Sequence, residues 1–178
     1  MEADMLLFIQ EHLRHPALTP VVKAITSLGD MGMFWIILTL VLLCFQKTRT
    51  AGLCSMIAMI LAYTVNNLIL KNVIARIRPY EVIDGLKLLV AKEKDFSFPS
   101  GHTGMSFASS VGMYRSLPKK AAVALIILAV LIALSRLYVG VHYPTDVLGG
   151  AVLGSTFGLT GSYLGRKLSD KFQKRQAE

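Results

Sequence analysis

Three short groups of residues in this 178-residue sequence carry side chains that could do chemistry. The first is Lys71 and Arg78, with Pro79 directly after. Their spacing is close to two helical turns, so a persisting helix would put both cations on one face, with Pro79 marking its end. The second is Pro99-Ser100-Gly101-His102, a turn opening a helix, where free backbone N–H groups and the positive dipole end form an anion site beside an imidazole. The third is Ser135-Arg136 and, after five residues, His142-Tyr143-Pro144-Thr145-Asp146. Pro144 and Asp146 suit the first turn of a helix, and a carboxylate there can hold the imidazole that precedes it. Each group taken alone has a plainer reading. Lys71 and Arg78 could be a snorkelling helix end, Ser100 an ordinary N-cap beside a satisfied His102, and Arg136 and Asp146 a pair across a loop with His142 a bystander.

Taken together, the groups supply three cations, two histidines, one carboxylate and a helix N-terminus, an inventory that matches phosphoryl transfer. A phosphate monoester or diphosphate carries two or more negative charges. The charge spread over its equatorial oxygens in the transition state asks for fixed donors, here Lys71, Arg78, Arg136 and the backbone of residues 100–102. Guanidinium suits that fork geometry. One histidine must attack while the other protonates the leaving oxygen, and an imidazole held by a carboxylate in the right tautomer is ready to attack at neutral pH. Asp146 therefore makes His142 the nucleophile and leaves His102 as general acid.

The elements that must position these groups are read from hydropathy. Hydrophobic residues make up 53% of the chain and charged residues 17%, against roughly 25% charge in soluble domains, with a mean hydropathy of +0.54. The apolar residues lie in long uncharged runs, as helices crossing roughly 30 Å of hydrocarbon require. The fold class expected is an all-α, multi-pass transmembrane bundle of five or six helices, in a single membrane-embedded domain over residues 1–178. Spans are expected at 31–46, extended back toward residue 21, and at 50–70, 101–117, 121–135 and 147–165. Residues 5–18 are amphipathic and read as a helix at the membrane surface, with His12 and His15 interfacial. Gly150, Gly154 and Gly158 form a small-residue stripe that lets helices approach closely. Cys44 and Cys54 show neither a disulfide nor a zinc-ligand pattern and are read as packing residues. Glu2 and Asp4 stand where a signal peptide would carry basic residues, so the N-terminus is read as uncleaved.

The net charge of +8 is read as a mark of topology rather than of a nucleic-acid partner. Lys47, Arg49, Arg115, Lys119, Lys120, Arg166, Lys167, Lys171, Lys174 and Arg175 fall on one side of a five-span arrangement, against Asp170 and Glu178. That side is assigned to the cytoplasm, together with the C-terminus, in a cell membrane. Residues 71–101 and 136–146 then face outward.

Lys-x6-Arg-Pro, Pro-Ser-Gly-His and Ser-Arg-x5-His-x3-Asp, in this order, resemble the three signature motifs of the type 2 phosphatidic acid phosphatase superfamily, which includes lipid phosphatases, glucose-6-phosphatase and vanadium haloperoxidases. The motifs run from about residue 67 to residue 150. The resemblance implies that Lys71, Arg78, Arg136, Ser100 and the Gly101 amide bind phosphate. It also implies that His142 forms a phosphohistidine, that His102 protonates the leaving alcohol and later helps to activate water, and that Asp146 orients His142. It implies no cofactor and no metal, and the sequence holds no carboxylate cluster of the Mg²⁺-binding kind, so metal-independent hydrolysis is expected.

A site at the bilayer surface calls for a lipid-borne phosphate. Small bacterial members of the family often hydrolyse undecaprenyl diphosphate on the outer face, recycling the cell-wall lipid carrier, and that substrate is the first expectation by resemblance. Phosphatidylglycerophosphate, phosphatidic acid and other isoprenyl diphosphates follow. Residues 80–98 are expected as an outer loop, where Lys87, Lys92 and Lys94 are nearly cancelled by Glu81, Asp84, Glu93 and Asp95. A vanadium haloperoxidase and a non-catalytic lipid-binding or transport protein are the competing classes. The first is disfavoured because those relatives are soluble and larger, the second because binding alone requires no acid opposite a nucleophile.

Overall fold

The computed structural model describes residues 1–177, without the side chains of residues 173 and 175–177. Of the charges counted above, the Arg175 side chain and Glu178 lie outside the described residues. The chain begins with α1 (Glu2–Phe8), prolonged by wide π-type turns at Ile9–Leu13, then α2 (Thr19–Ser27) and α3 (Met33–Cys44). α4 (Arg49–Ala62) continues through π-type turns at Tyr63–Leu70 into α5 (Lys71–Ile74), and the short α6 (Pro79–Val82) follows. α7 (Gly101–Met113), α8 (Lys119–Tyr138) and α9 (Pro144–Ala177) complete the order, with no strand among the described residues. The all-helical bundle expected from sequence is the fold found.

Three helical stretches, Arg49–Val82, Lys119–Tyr138 and Pro144–Phe172, are long and apolar enough to cross a membrane. α2 and α3 make a fourth if counted as one bent span. Their 44° bend falls at Gly29-Asp30-Met31-Gly32, where Met31 and Gly32 both take positive φ. α7 has 13 residues and covers about 20 Å at 1.5 Å per residue, so the third expected span is a short inner helix rather than a full-length one.

α9 packs along α7 and α4, and small residues make that approach possible. A Cβ added to Gly154 would lie 2.4 Å from the Gly104 carbonyl oxygen of α7, and one on Gly161 would lie 2.6 Å from the Cys54 carbonyl of α4. The glycine stripe therefore does what its spacing predicts. Around this small-residue seam, Trp35, Met59, Met113, Ala129 and Ile132 form the largest buried apolar cluster. Trp35 donates to Ser106 Oγ at 2.9 Å, so its polar edge is satisfied inside the bundle. Cys54 is buried beneath α9, whereas Cys44 is exposed at the end of α3.

The expectation for the region after span two is corrected. The helix does not persist from Lys71 to Arg78: it stops at Ile74, Ala75 turns left-handed at φ 48°, and Pro79 opens α6 rather than closing α5. A proline lacks the N–H that the first helical turn leaves unused, which is why it starts the new turn.

α1 lies across the end of the bundle where α7 and α9 begin. Leu6 is buried with Leu86 and Tyr143, Gln10 donates to the Gly85 carbonyl at 3.0 Å, and Arg14 donates to the Tyr138 carbonyl at 2.9 Å. At the opposite end Lys47, Arg115, Arg166 and Lys167 border one depression.

Candidate active site

The end capped by α1 holds the three motif groups. Lys71, Arg78 and Arg136 are all buried, although they come from α5, from the extended segment after it and from the last turn of α8. A buried cation is tolerated only when paired, and each of these is paired by the 83–100 segment. Lys71 and Arg78 both bind the Asp95 carboxylate, and Arg136 binds Glu93. Arg78 also donates from Nε to the Asp95 carbonyl at 2.8 Å and from Nη1 to the Val141 carbonyl at 3.0 Å. Arg136 donates to Thr26 Oγ1 at 2.7 Å, while its Nε finds no partner among the described residues. Burial alone would raise the Asp95 carboxyl, but the Lys71 and Arg78 charges outweigh it and hold the group below the usual carboxylate range.

His142 sits in the turn between α8 and α9 and is 1% exposed. Its Nε2 lies 3.4 Å from Arg78 Nη1, and its Nδ1 lies 3.5 Å from Asp146 Oδ2. A guanidinium only donates, so the ring nitrogen facing it presents a lone pair, and the proton belongs on Nδ1 toward the carboxylate. Burial pushes the imidazole down to about 3, with Arg78 and Arg136 adding to the effect and the Asp146 hydrogen bond opposing it. The ring is therefore neutral at physiological pH, as a nitrogen nucleophile needs to be.

Asp146 is 0% exposed, in the first turn of α9. Oδ2 accepts from Ser97 Oγ and from the Tyr143 backbone N–H at 2.9 Å, and Oδ1 accepts from Arg76 Nη1 at 2.6 Å. Ser100 caps α7: its hydroxyl accepts from Thr103 N at 3.4 Å and from Thr103 Oγ1 at 3.0 Å. The Ser100 N–H is spent on the Asp146 carbonyl at 3.0 Å, which ties the starts of α7 and α9 together. The plainer reading of Ser100 as an N-cap is thus realised. The Gly101 N–H that follows lies in the first turn of α7, where intrahelical bonding leaves such groups unused.

His102, one residue on, places Nε2 3.0 Å from Asp30 Oδ1 in the α2–α3 bend. Lys71, Gly101 and His102 line one cavity of about 250 Å³, closed on one side by Glu93 and Asp95. The bundle end thus gathers the three motif groups. Arg78, His142 and Asp146 stand in direct sequence of contact, and Lys71, Gly101 and His102 share the adjoining cavity.

Five polar residues that bear on this end escaped the sequence reading. Arg76 lies inside the first motif group, between the two cations that were chosen. Ser97 directly precedes Phe98-Pro99. Asp30 could have been found as a lone acid at a Gly-flanked break in an apolar run. Glu93 and Asp95 stand among lysines whose charge they nearly cancel, so composition gives no sign of their pairing with the buried cations.

Fold and site together define a helical membrane protein with a cation-lined polar pocket at one end. Residues 51–169 match the PAP2 superfamily, and the chain belongs to it. The undecaprenyl-diphosphatase of Sulfolobus acidocaldarius is 39% identical over 121 residues, which are 68% of this chain and 58% of that protein's length. The phosphatidylglycerophosphatase B of Bacillus subtilis is 34% identical over 159 residues, 80% of this chain and 72% of that protein. The crystal structure of a transmembrane PAP2-type phosphatidylglycerolphosphate phosphatase from Bacillus subtilis superposes with a TM-score of 0.72 at 28% identity, over 96% of this chain and 85% of that one.

Proposed function

We propose that this chain, a lipid phosphatase by family, hydrolyses an isoprenyl diphosphate through a phosphohistidine on His142, with undecaprenyl diphosphate as the first substrate. The observation that carries the reading is His142 itself: a neutral, buried imidazole with its lone pair toward Arg78 and its other nitrogen toward Asp146. In the first step the Nε2 lone pair attacks phosphorus, the bond from phosphorus to the leaving oxygen breaks, and His102 gives that oxygen a proton. Asp146 stabilises the charge the ring acquires, and Lys71, Arg78, Arg136 and the Gly101 N–H hold the equatorial oxygens. In the second step water attacks phosphorus, His102 takes the water's proton, and the P–N bond breaks to release phosphate and neutral His142. These residues supply the charge stabilisation without a metal ion.

The isoprenyl substrate is favoured by the Sulfolobus relative's name, and the Bacillus relative supports phosphatidylglycerophosphate as the second reading. The outward orientation of the site is favoured by the cluster of Lys47, Arg115, Arg166 and Lys167 at the other end of the bundle, which the positive-inside rule assigns to the cytoplasm.

The test is phosphate release in detergent with EDTA from undecaprenyl diphosphate, phosphatidylglycerophosphate and phosphatidic acid, using the parent, His142→Ala and His102→Ala. Activity that survives the chelator, is highest on the isoprenyl diphosphate and is lost in both variants is expected. Chelator-sensitive release, or an active His142→Ala protein, contradicts the reading. Sidedness is checked with single cysteines placed in the 80–98 loop, on a background lacking Cys44 and Cys54. Labelling by an impermeant thiol reagent outside intact cells is expected, and protection overturns the assignment.

A further inference from the structure

We propose that Glu93 and Asp95 form a carboxylate gate that occupies the phosphate pocket in place of substrate and must withdraw before a phosphate can bind. The inference rests on the reading of Lys71, Arg78 and Arg136 as the phosphate-binding cations.

All three cations are engaged by these two carboxylates, so the contacts a phosphate needs are already filled. The two sides of the pairs differ in their freedom to move. The cations are between 1% and 6% exposed at the side chain, whereas Glu93 is 29% and Asp95 46% exposed. The carboxylates have a route to water and the cations do not.

The backbone around them is pinned at both ends, by Leu89 N to the Val139 carbonyl at 3.2 Å and by Ser97 N to the Arg76 carbonyl at 2.8 Å. Between the pins the Glu93 carbonyl accepts from Tyr80 Oη at 3.2 Å and the Asp95 carbonyl from Arg78 Nε at 2.8 Å, so the movement required is that of the Glu93 and Asp95 side chains. The same two residues line both the 250 Å³ cavity at His102 and a second cavity of about 170 Å³ beside Arg76 and Tyr80. The unpartnered Nε of Arg136 shows that the carboxylates satisfy the cations incompletely.

Withdrawing two carboxylates leaves three buried cations, which is unfavourable unless the incoming anion restores the lost charge. A phosphomonoester or diphosphate restores it in full; a singly charged phosphodiester restores half. The gate therefore acts as an internal competitor, and it scales apparent affinity down to the fraction of time it stays open.

The experiment uses the full chain in detergent, with inorganic phosphate as a competitive inhibitor and a singly charged dialkyl phosphate as a second one. Asp95→Asn, Glu93→Gln and the double variant are compared with the parent. The amides keep size and hydrogen bonding but remove charge. If the gate is closed about nine-tenths of the time, the double variant binds inorganic phosphate about tenfold more tightly. Inhibition by the dialkyl ester tightens by the same factor, because a closed gate excludes both anions alike. Unchanged or weaker phosphate inhibition in the two single variants overturns the gate, and these serve if the double variant does not fold. Lys71→Gln and Arg136→Gln separate the two levels: if neither weakens phosphate inhibition, the cation assignment itself fails.

Discussion

Arg76 donates from Nη1 to Asp146 Oδ1 at 2.6 Å, fixing from outside the carboxylate that faces His142 from within. The same guanidinium reaches Glu2 Oε2 at 2.6 Å through Nη2 and lies over the Tyr143 ring, so α1, the α5–α6 link and α9 meet at one side chain. Arg76 touches no reacting atom in the proposed chemistry; it is a positioning residue. Arg76→Ala is expected to lower kcat about a hundredfold, the scale for misplacing a catalytic group by about 1 Å, with a smaller effect on KM. Arg76→Lys, which keeps the charge, is expected to recover part of the loss. A change confined to KM would show that Arg76 serves binding instead.

The neutral state of His142 has a signature in stability. Its proton affinity falls from the ordinary 6.5 to about 3 on folding. Between those values the unfolded chain binds a proton that the folded chain refuses, so folded-state stability falls as pH drops from about 6.5 toward 3 and is unaffected by this group above 6.5. Thermal unfolding in detergent at pH 7.5 and pH 5, compared between the parent and His142→Gln, isolates the contribution. The parent is expected to lose more stability on acidification than the variant; equal losses would show that His142 is not held neutral.

If His102 is the general acid, its importance depends on the leaving group. His102→Ala is expected to slow the first step, read as the rate of phosphohistidine formation, about a hundredfold or more on alkyl phosphates and much less on p-nitrophenyl phosphate, whose leaving oxygen needs little protonation. Asp30→Asn should show the same pattern more weakly, because Asp30 acts through its 3.0 Å contact with His102 Nε2. Equal losses on both substrates would assign His102 and Asp30 to binding.

What the sequence made legible follows from which interactions are local. The i to i+4 relation of His142 and Asp146 is readable because it lies within one turn and the helix it opens. Hydropathy also marks α8, whose exposed side is apolar throughout its length from Ala121 to Leu134, and α9, whose exposed side carries Leu148, Val152, Leu159 and Leu164. The pairings of Glu93 with Arg136 and of Glu2 with Arg76 span 43 and 74 positions, and no periodicity encodes them. The break at Ala75 was hidden because a single left-handed residue without glycine leaves no composition signal. The end of α7, by contrast, is legible: the expected segment closes one residue past the 3₁₀ turn at Tyr114–Ser116 that continues the helix.

The glycine seam makes a separate prediction about packing. Gly154→Val places a branched side chain where even a Cβ would meet the Gly104 carbonyl at 2.4 Å. Overpacking of this kind costs about 1–3 kcal/mol, so a lower unfolding temperature in detergent is expected. Thr156→Ala, two residues away on the exposed face, should shift it little. Equal shifts would mean that the α7–α9 contact is looser than its geometry.

The most direct measurement is capture of the covalent intermediate. A ³²P-labelled lipid diphosphate, quenched within a turnover and mapped by mass spectrometry, should leave acid-labile, alkali-stable phosphate on the peptide containing His142. That label should be absent from His142→Ala and accumulate in a variant slowed in the second step. Label on any other residue, or equal labelling of His142→Ala, contradicts the account.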